Sequence, residues 1–243
     1  MLTFSTDDAP TAFATALAQR PLVHRVSIVA GRSQVVALVV ARDNAQLLRE
    51  LDAVLEGQKS VRLESARAVL SIIPPREARG ARGKCGVSRA AWLTPRQQQI
   101  ESKLVQALQL DFRATFASLS TAADLSAPAA STNLQELLSE GIIHHVVVAD
   151  PRFLGLPLSV QFSIRVCKGI ERAAQEIAEV LNPDWIFLCG HGEQILVEVA
   201  LKGEEDLFRW QRDANKIADV VSVSSSPFSA IYKQTFNWSN DAR

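Results

Sequence analysis

A predicted helix from Ser126 to Glu140 carries side chains that can form specific hydrogen bonds near its start. Hydroxyl and amide groups can contact base edges in the DNA major groove, and Asn or Gln can bind adenine through two hydrogen bonds. The positions predicted to be exposed there are Ser126, Ala127, Ala129, Ser131, Thr132, Asn133 and Gln135. No Lys or Arg occurs from Ala114 to Pro151, so the available phosphate contacts are Arg96, Arg113 and the arginines of a basic linker, Arg76, Arg79, Arg82 and Arg89.

Two glycine-containing turns form a second candidate site, this time for a small molecule. They are Gly31-Arg32-Ser33-Gln34 and Gly190-His191-Gly192-Glu193-Gln194, and each joins two predicted strands. Glycine permits the positive φ of a tight hairpin, and that alone explains its presence. The polar backbone groups of such a loop can also hold an amino or carboxylate group. Both interpretations stay open from the sequence.

Other chemistry finds little support in the residue pattern. His144 and His145 adjoin on a predicted strand, so they point to opposite faces and cannot ligate one ion together. The three cysteines are not spaced for zinc. No Ser–His–Asp order, Cys–His pairing or glycine-rich phosphate loop stands out. The sequence therefore predicts no catalytic residue, no metal site and no cofactor.

The elements that must position the hydrogen-bonding helix form a helix-turn-helix pattern. Thr94 and Gln97 have capping-box spacing at the start of a first helix, and Asp124 lies in a tight turn after a second. Ser126 can cap the third helix, and the apolar residues within 142–148 indicate a strand. Three short helices, a tight turn and a strand are typical of a helix-turn-helix with a wing.

The order β-α-β-β-α-β is predicted on both sides of this segment, and the hairpin glycines Gly31 and Gly190 match in the two copies. In the first copy, Asn44 caps the second helix and 61–73 forms the last strand. The predicted fold class is α+β, with two ferredoxin-like βαββαβ domains flanking a winged helix-turn-helix. The predicted domains are 1–75, a basic linker at 76–92, the winged helix at 93–150 and the second βαββαβ domain at 151–243.

The central segment resembles the Lrp/AsnC family of bacterial transcriptional regulators, in tandem form and without a first winged helix. The matching residues are Leu125-Ser126, Leu134, Leu137, Gly141-Ile142-Ile143, Asp150-Pro151 and Leu154-Gly155-Leu156-Pro157-Leu158. The resemblance implies a DNA-binding winged helix followed by a βαββαβ domain that dimerises and binds an effector, often an amino acid. It also places the two hairpins at the family's effector loop.

The recognition helix departs from the family pattern. The family usually carries Arg or Lys around the positions of Asn133, Gln135 and Glu136, and this chain does not. A winged helix kept only for packing and spacing is therefore an open alternative to direct DNA binding.

The hairpins also depart from the family's Gly-x-x-Asp loop, because neither contains its Asp. Gln34 stands at that place in the first copy, and either Glu193 or Gln194 does in the second. The change from acid to amide in the first copy argues against the usual amino-acid ligand.

The central strands predict that the sheets pack against one another. Val35 to Val40 and Ile195 to Val197 are apolar without interruption, whereas a sheet with one wet face alternates apolar and polar residues. We therefore expect the faces around Val36, Leu38 and Val40, and around Ile195 and Val197, to be buried against another sheet. The partner sheet is either the other copy or a second chain, so a homodimer or larger homo-oligomer is expected.

The composition excludes several classes of protein. The 243 residues are 47% hydrophobic, and the formal net charge is zero, so nothing draws the whole chain to nucleic acid. No apolar run approaches membrane-spanning length, and no secretory signal pattern occurs at the N-terminus. Cysteines outside any disulfide framework favour a reducing cytoplasm, which is the expected location.

Three functions follow as hypotheses. The first is a cytoplasmic regulator that binds double-stranded DNA and responds to a small molecule, for example an amino acid. The second is an enzyme that resembles siroheme decarboxylases, which share the family's fold and use His and Arg on a tetrapyrrole. The third is an effector-binding or assembly module with a degenerate winged helix. Salt-dependent DNA binding discriminates the first and a coloured tetrapyrrole complex the second.

Overall fold

The computed structural model describes residues 1–7, 10–30, 34–73, 94–140, 142–143, 149–190 and 194–235. They form a mixed α+β fold with nine strands and seven α-helices among the described residues. Two compact units are present. One combines Met1–Arg76 with Val148–Arg243, and the other is Glu77–Val147. None of the described helices has the length and apolarity that a bilayer crossing requires.

The elements follow one another in an order that repeats across the chain. The first half contains β1 Leu2–Thr6, α1 Pro10–Ala18, β2 Val23–Val29, β3 Gln34–Val39, α2 Asn44–Leu55, β4 Val61–Ala66 and β5 Val69–Ile73. The helical unit contains α3 Pro95–Leu110, α4 Phe116–Ala123 and α5 Ala127–Ser139. The second half contains β6 Leu158–Val166, α6 Ile170–Val180, β7 Trp185–Cys189, β8 Ile195–Leu201, α7 Glu204–Ala214 and β9 Val220–Gln234.

The strands of both halves belong to one antiparallel sheet in the order β4-β1-β3-β2-β9-β6-β8-β7-β5. β9 crosses between the halves, because it pairs with β6 through its first part and with β2 through its last part. The first half reaches the second in the same way, since β4 pairs with β1 and its continuation β5 pairs with β7. Each half thus lends its final strand to the other.

The structure corrects two of the sequence predictions about local structure. The predicted strand 61–73 is divided into β4 and β5, because the chain passes at Ala68 from one half to the other. The cap of α2 is Asp43 rather than Asn44, and its carboxylate accepts a hydrogen bond from the Gln46 amide at 2.7 Å. Asp43 has the extended backbone that an N-cap requires, whereas Asn44 is already helical.

The strand register shows that the two halves match at a constant shift of 160 residues from β1 to β3. Phe4 pairs with Val35, and Ile164 pairs with Ile195. Ile28 pairs with Val35 and Leu188 with Ile195, so the two hairpins are equally long. The sequence match of Gly31 with Gly190 was therefore wrong by one residue, and Ala30 is the counterpart of Gly190. A turn glycine can move by one position without changing the loop length, so residue identity misaligned the repeat.

Each half packs its two helices on one face of its strands. Fully buried residues from β1 to β3 contact α1 in the first half, for example Phe4 and Val35. Phe162 and Ile164 contribute in the same way to the larger core of the second half, where Trp210 of α7 stacks on Phe162 at 4.0 Å between ring centroids. These cores account for the apolar positions on one face of each strand.

The other faces of the two halves meet in a separate apolar cluster. It contains Met1, Val29, Val36 and Leu38 from the first half and Phe187, Cys189 and Leu196 from the second. Burial against another sheet is therefore found for Val36 and Leu38. For Ile195 and Val197 it was wrong, because these side chains point to the helices and Leu196 between them faces the other half. Side chains alternate along a strand, so only one of the two faces can point to the other half.

The helical unit forms a small core of its own. Leu104, Leu119, Ala130 and Leu137 are buried within it. The predicted capping box is present, since Thr94 accepts from the Gln97 amide and the Gln97 side chain accepts from the Thr94 amide. Of the predicted wing, residues 144–148 lie outside the described residues, and Ile142–Ile143 form a bend instead of a strand.

Candidate functional sites

The turn before α5 positions the predicted recognition helix. Asp124 has a left-handed backbone with φ of 57°, which lets the chain reverse directly after α4. The Leu125 amide then donates to the Ser120 carbonyl at 2.9 Å. The Ser126 hydroxyl accepts from the Ala129 amide at 3.4 Å and caps α5. These contacts fix the direction of α5 relative to α4.

The structure distributes the predicted base-contacting residues between exposed and half-buried positions. Ser126, Ala127, Thr132 and Gln135 are exposed, whereas Ala129, Ser131 and Asn133 are half-buried. The Asn133 amide nitrogen donates to the Ala129 carbonyl at 2.8 Å, and the Thr132 hydroxyl donates to the Pro128 carbonyl at 3.1 Å. Exposed Gln135 is the amide side chain with no such local bond among the described contacts of α5. Bidentate contact of Asn133 with adenine requires that side chain to change its bonding.

Two of the candidate phosphate contacts, Arg96 and Arg113, lie at opposite ends of α3. Arg96 is in its first turn, and Arg113 follows its end, so roughly 21 Å of helix separates them. Both are exposed, and the Arg113 guanidinium lies over the Phe112 ring at 5.1 Å from the centroid. One phosphate group cannot contact both arginines, so each has to be considered separately.

The base of each hairpin is bound to the final strand of the opposite half. The Ala30 amide donates to the Pro227 carbonyl at 2.7 Å, and the Gly190 amide donates to the Ala68 carbonyl at 3.1 Å. The predicted effector residues Gly31, Arg32, Ser33, His191, Gly192 and Glu193 lie outside the described residues. Both hairpins thus stand at the boundary between the halves.

The described part of the predicted loops ends in a glutamine in both halves. Because Ile195 is the counterpart of Val35, Gln194 rather than Glu193 is the counterpart of Gln34. The Gln194 side-chain oxygen accepts a hydrogen bond from the Val166 amide at 2.8 Å. A glutamine therefore stands in both halves at the place where the resemblance implies an Asp, and in the second half it ties the hairpin to the end of β6.

A cavity of about 580 Å³ lies at one corner of the first half, and it was not predicted from the sequence. Its walls come from the end of β3, the start of α2 and the passage from β4 to β5. Apolar residues including Leu38, Leu47 and Ile72 line it together with Arg42, Arg67 and Asp43. Nothing in the local sequence pattern signals this cavity, because its residues come from three separate segments of the chain.

The cavity wall also contacts the base of the second hairpin. Ala68 and Leu70 line the cavity, and Ala68 accepts the Gly190 amide. A side chain built on Gly190 would meet Leu70 at 3.7 Å. β5 is therefore a shared wall, with the cavity on one side and the predicted effector loop against it.

A buried ion pair joins the halves, and it too was not predicted from the sequence. The Arg25 guanidinium of β2 donates to the Glu198 carboxylate of β8, and both residues are buried. Phe228 lies under the guanidinium, 5.1 Å from its ring centroid, while the buried Nε of Arg25 has no hydrogen-bond partner among the described residues. Burial lowers the pKa of Arg25 to about 10, against the opposing effect of Asp184, so the guanidinium stays charged at neutral pH.

Comparison with known proteins gives structural neighbours of one kind. No family model matches the sequence, and no curated protein matches it. The leucine response regulatory protein of Mycobacterium tuberculosis is 22% identical, with 59% of this chain and 97% of that chain covered and a TM-score of 0.47. LrpC of B. subtilis is 21% identical, with 54% and 94% covered and a TM-score of 0.42. A transcriptional regulator of Neisseria meningitidis in complex with L-Met is 18% identical, with 57% and 94% covered and a TM-score of 0.45.

The neighbours are thus named as transcriptional regulators, including members of the Lrp/AsnC group. At these levels of similarity, the function of this chain has to be inferred from its own residues.

Proposed function

We propose that this chain is a DNA-binding transcriptional regulator of Lrp/AsnC type that responds to a small molecule. The observation that carries the proposal is the path from α4 through Asp124 to the capped start of α5. This path has the tight turn and exposed helix start of a helix-turn-helix. α5 is then the recognition helix, with Gln135 and Thr132 as exposed uncharged side chains that can form hydrogen bonds in its first three turns.

In this proposal, the chain has the domains 1–75, 93–150 and 151–243, with a basic linker at 76–92. The two βαββαβ halves act as ferredoxin-like domains, since each has the strand order fourth-first-third-second. The central domain is the winged helix. The small molecule acts where the halves meet, next to the hairpins 31–34 and 190–194, because each hairpin base is bound to the opposite half.

A homodimer on DNA is part of the proposal, and its contact surface differs from the expected one. Specific binding by a helix-turn-helix uses two recognition helices about 34–36 Å apart, and one chain supplies one such helix. The inner sheet faces around Val36 and Leu196 already pack on each other within one chain. A second chain therefore has to join through another surface.

In this proposal, the linker arginines provide most of the electrostatic contribution to DNA binding. The sequence from Ala114 to Pro151 has no cation, whereas the linker contains several arginines. Each phosphate neutralised adds about 0.9 to the slope of log affinity against log salt. We therefore expect weak, strongly salt-dependent binding to DNA, in which the linker arginines act on all sequences alike.

The test measures binding of the full chain to duplex DNA between 50 and 200 mM salt, roughly the range in which phosphate contacts dominate. The main variant changes Arg76, Arg79, Arg82 and Arg89 to Gln. A matched control changes Arg49, Arg62, Arg172 and Arg209, four exposed arginines of the sheet unit, to Gln. The linker variant should bind less and show a flatter slope, while the control keeps the slope. Equal slopes for both variants would contradict the assignment to the linker.

A second function has one observation in its favour. The exposed surface of α5 carries Glu136 and Glu140 and no cation, and Asn133 is already bonded within the helix. These features suit an assembly or effector-binding module whose winged helix no longer contacts DNA. Binding through phosphate contacts is strongest at low salt. Absence of any DNA binding at about 50 mM salt would therefore favour this second function.

A further inference from the structure

We infer that the cavity at the corner of the first half binds a small monocarboxylate with an apolar tail. This deepens the proposed function, since it names the class of ligand that the sheet unit responds to. The cavity volume of about 580 Å³ lies within the usual range for small-molecule sites. Its apolar lining fits a hydrocarbon or aromatic tail, which leaves the charged residues to select the head group.

The charges that line the cavity favour an anion. Arg42 and Arg67 both line it, and Asp43 is its single acidic residue. The Asp43 carboxylate accepts the Gln46 amide at 2.7 Å and so already serves as the helix cap. Arginine stays charged throughout the physiological range and can bind a carboxylate with two hydrogen bonds. The head group that these residues recognise is therefore a carboxylate.

The same corner of the second half shows that this charge pattern is particular to the first half. The register places Lys202 opposite Arg42 and Ser226 opposite Arg67 in the repeat. Glu198 is the counterpart of Leu38, and Phe228 is the counterpart of Val69. The second corner thus has no arginine at these two places, one cation fewer in all, and it contains a carboxylate, which is occupied by Arg25. Its residues offer an incoming anion no comparable attraction.

The cavity also lies where a bound molecule can affect the rest of the unit. β5 forms one wall, and Ala68 directly before it accepts a hydrogen bond from Gly190 at the base of the second hairpin. A ligand that packs on Leu70 also borders Gly190. Binding in the cavity is thus coupled through β5 to the boundary between the halves.

The test titrates hexanoate into the full chain without DNA, by calorimetry. Hexanamide, hexylamine and norleucine have the same carbon chain and differ in the head group. We expect hexanoate to bind at least about tenfold more tightly than hexanamide and hexylamine, since a charge-assisted hydrogen bond contributes more than a neutral one. Norleucine has the same carboxylate, but its ammonium would lie beside the two arginines, and like-charge repulsion should weaken its binding at least about tenfold as well. Arg42→Gln and Arg67→Gln should each weaken hexanoate binding about tenfold. Arg49→Gln, on α2 and outside the cavity, is the matched control.

A steric variant tests the location separately from the charge. Val69→Phe introduces the residue that the second half carries at the equivalent strand position. It should reduce hexanoate affinity, and circular dichroism shows whether the fold is kept.

Three results would overturn the inference: no binding of hexanoate, equal or tighter binding of norleucine, or Arg42→Gln and Arg67→Gln proteins that bind as well as Arg49→Gln. Because DNA is absent, these failures leave the DNA-binding proposal to its own salt-dependence experiment.

Discussion

The two halves of the sheet unit have the same element order but fill their common interior differently. Arg25 pairs in register with Leu38 in the first half, and their counterparts Trp185 and Glu198 pair in register in the second. The ion pair Arg25–Glu198 crosses from one half to the other, while Leu38 and Trp185 belong to the apolar cluster between them. The two pairs that span the halves are the diagonals of this group of four residues. The diagonal Arg25–Glu198 is ionic, and the diagonal Leu38–Trp185 is apolar.

This difference makes each half complementary to the other and not to itself. Two copies of the first half facing each other would bury two Arg25 residues without a carboxylate. Two copies of the second half would bury two Glu198 residues without an arginine. An unpaired buried charge is strongly destabilising, so the ion pair acts against wrong pairing as well as for the right one. A single asymmetric contact can thus direct one half of a repeated fold to pair with the other half.

The largest expected effect comes from a charge placed in the apolar cluster that both halves share. Leu196 is fully buried there, and its counterpart Val36 is 6% exposed. Leu196→Asp and Val36→Asp should each lower the free energy of unfolding by more than about 4 kcal/mol, because an unpaired carboxylate loses its hydration. Urea denaturation followed by circular dichroism measures this. Leu48→Asp, at a position that is 60% exposed, is the control and should be close to neutral.

The second expected effect concerns the ionic diagonal. Glu198→Ala leaves Arg25 buried without its partner and should cost about 3–5 kcal/mol of unfolding free energy. The double variant Arg25→Met with Glu198→Leu makes this diagonal apolar like the other one, and should recover most of that loss. Asp206→Ala breaks an exposed ion pair with Arg209 and serves as the control, with an expected cost below about 1 kcal/mol. A double variant as unstable as Glu198→Ala would show that packing, not charge, sets this contact.

The smallest expected effect is a pH dependence of the free energy of unfolding that comes from His24 in the first half. His24 is buried at the start of β2, and this burial, with Lys233 nearby, lowers the pKa of its imidazole below the ordinary value. Between about pH 7 and pH 5, the unfolded chain then takes up a proton more readily than the folded chain. The free energy of unfolding should fall as the pH drops through this window and should not change above it on account of His24.

His24→Asn should reduce that slope, measured by urea denaturation at several pH values. The other three histidines are present in both proteins, so the difference between the two slopes reports on His24. An identical slope in both proteins would contradict the link. Asp184 is the counterpart of His24 in the second half, so that half has no histidine at this place.

Much of the local structure could be predicted from the sequence, because it depends on contacts between neighbouring residues. The capping box of Thr94 and Gln97, the turn at Asp124 and the cap at Ser126 all involve residues no more than five positions apart. The order of strands and helices in both halves followed from apolar periodicity in the same way. The positions of the hydrogen-bonding residues on α5 could be predicted too, but their local bonds could not.

The candidate sites depended on contacts that no local pattern contains. The cavity is built from three segments of the chain, and the ion pair joins residues 25 and 198 across the two halves. The strand 61–73 reads as one apolar segment, yet its second part pairs with β7, more than a hundred residues away. Which face of β8 meets the helices was equally open, since Ile195, Leu196 and Val197 are all apolar.

The positions of the helices and strands could be predicted from the sequence alone, because hydrogen bonds and apolar periodicity within a few residues decide where each begins and ends. The apolar central strands also showed that both of their faces must be covered. What covers the second face became clear only in the folded structure. The second half of the same chain does so, because Arg25 and Glu198 form one buried ion pair when the halves meet and leave unpaired charges when either half meets its like.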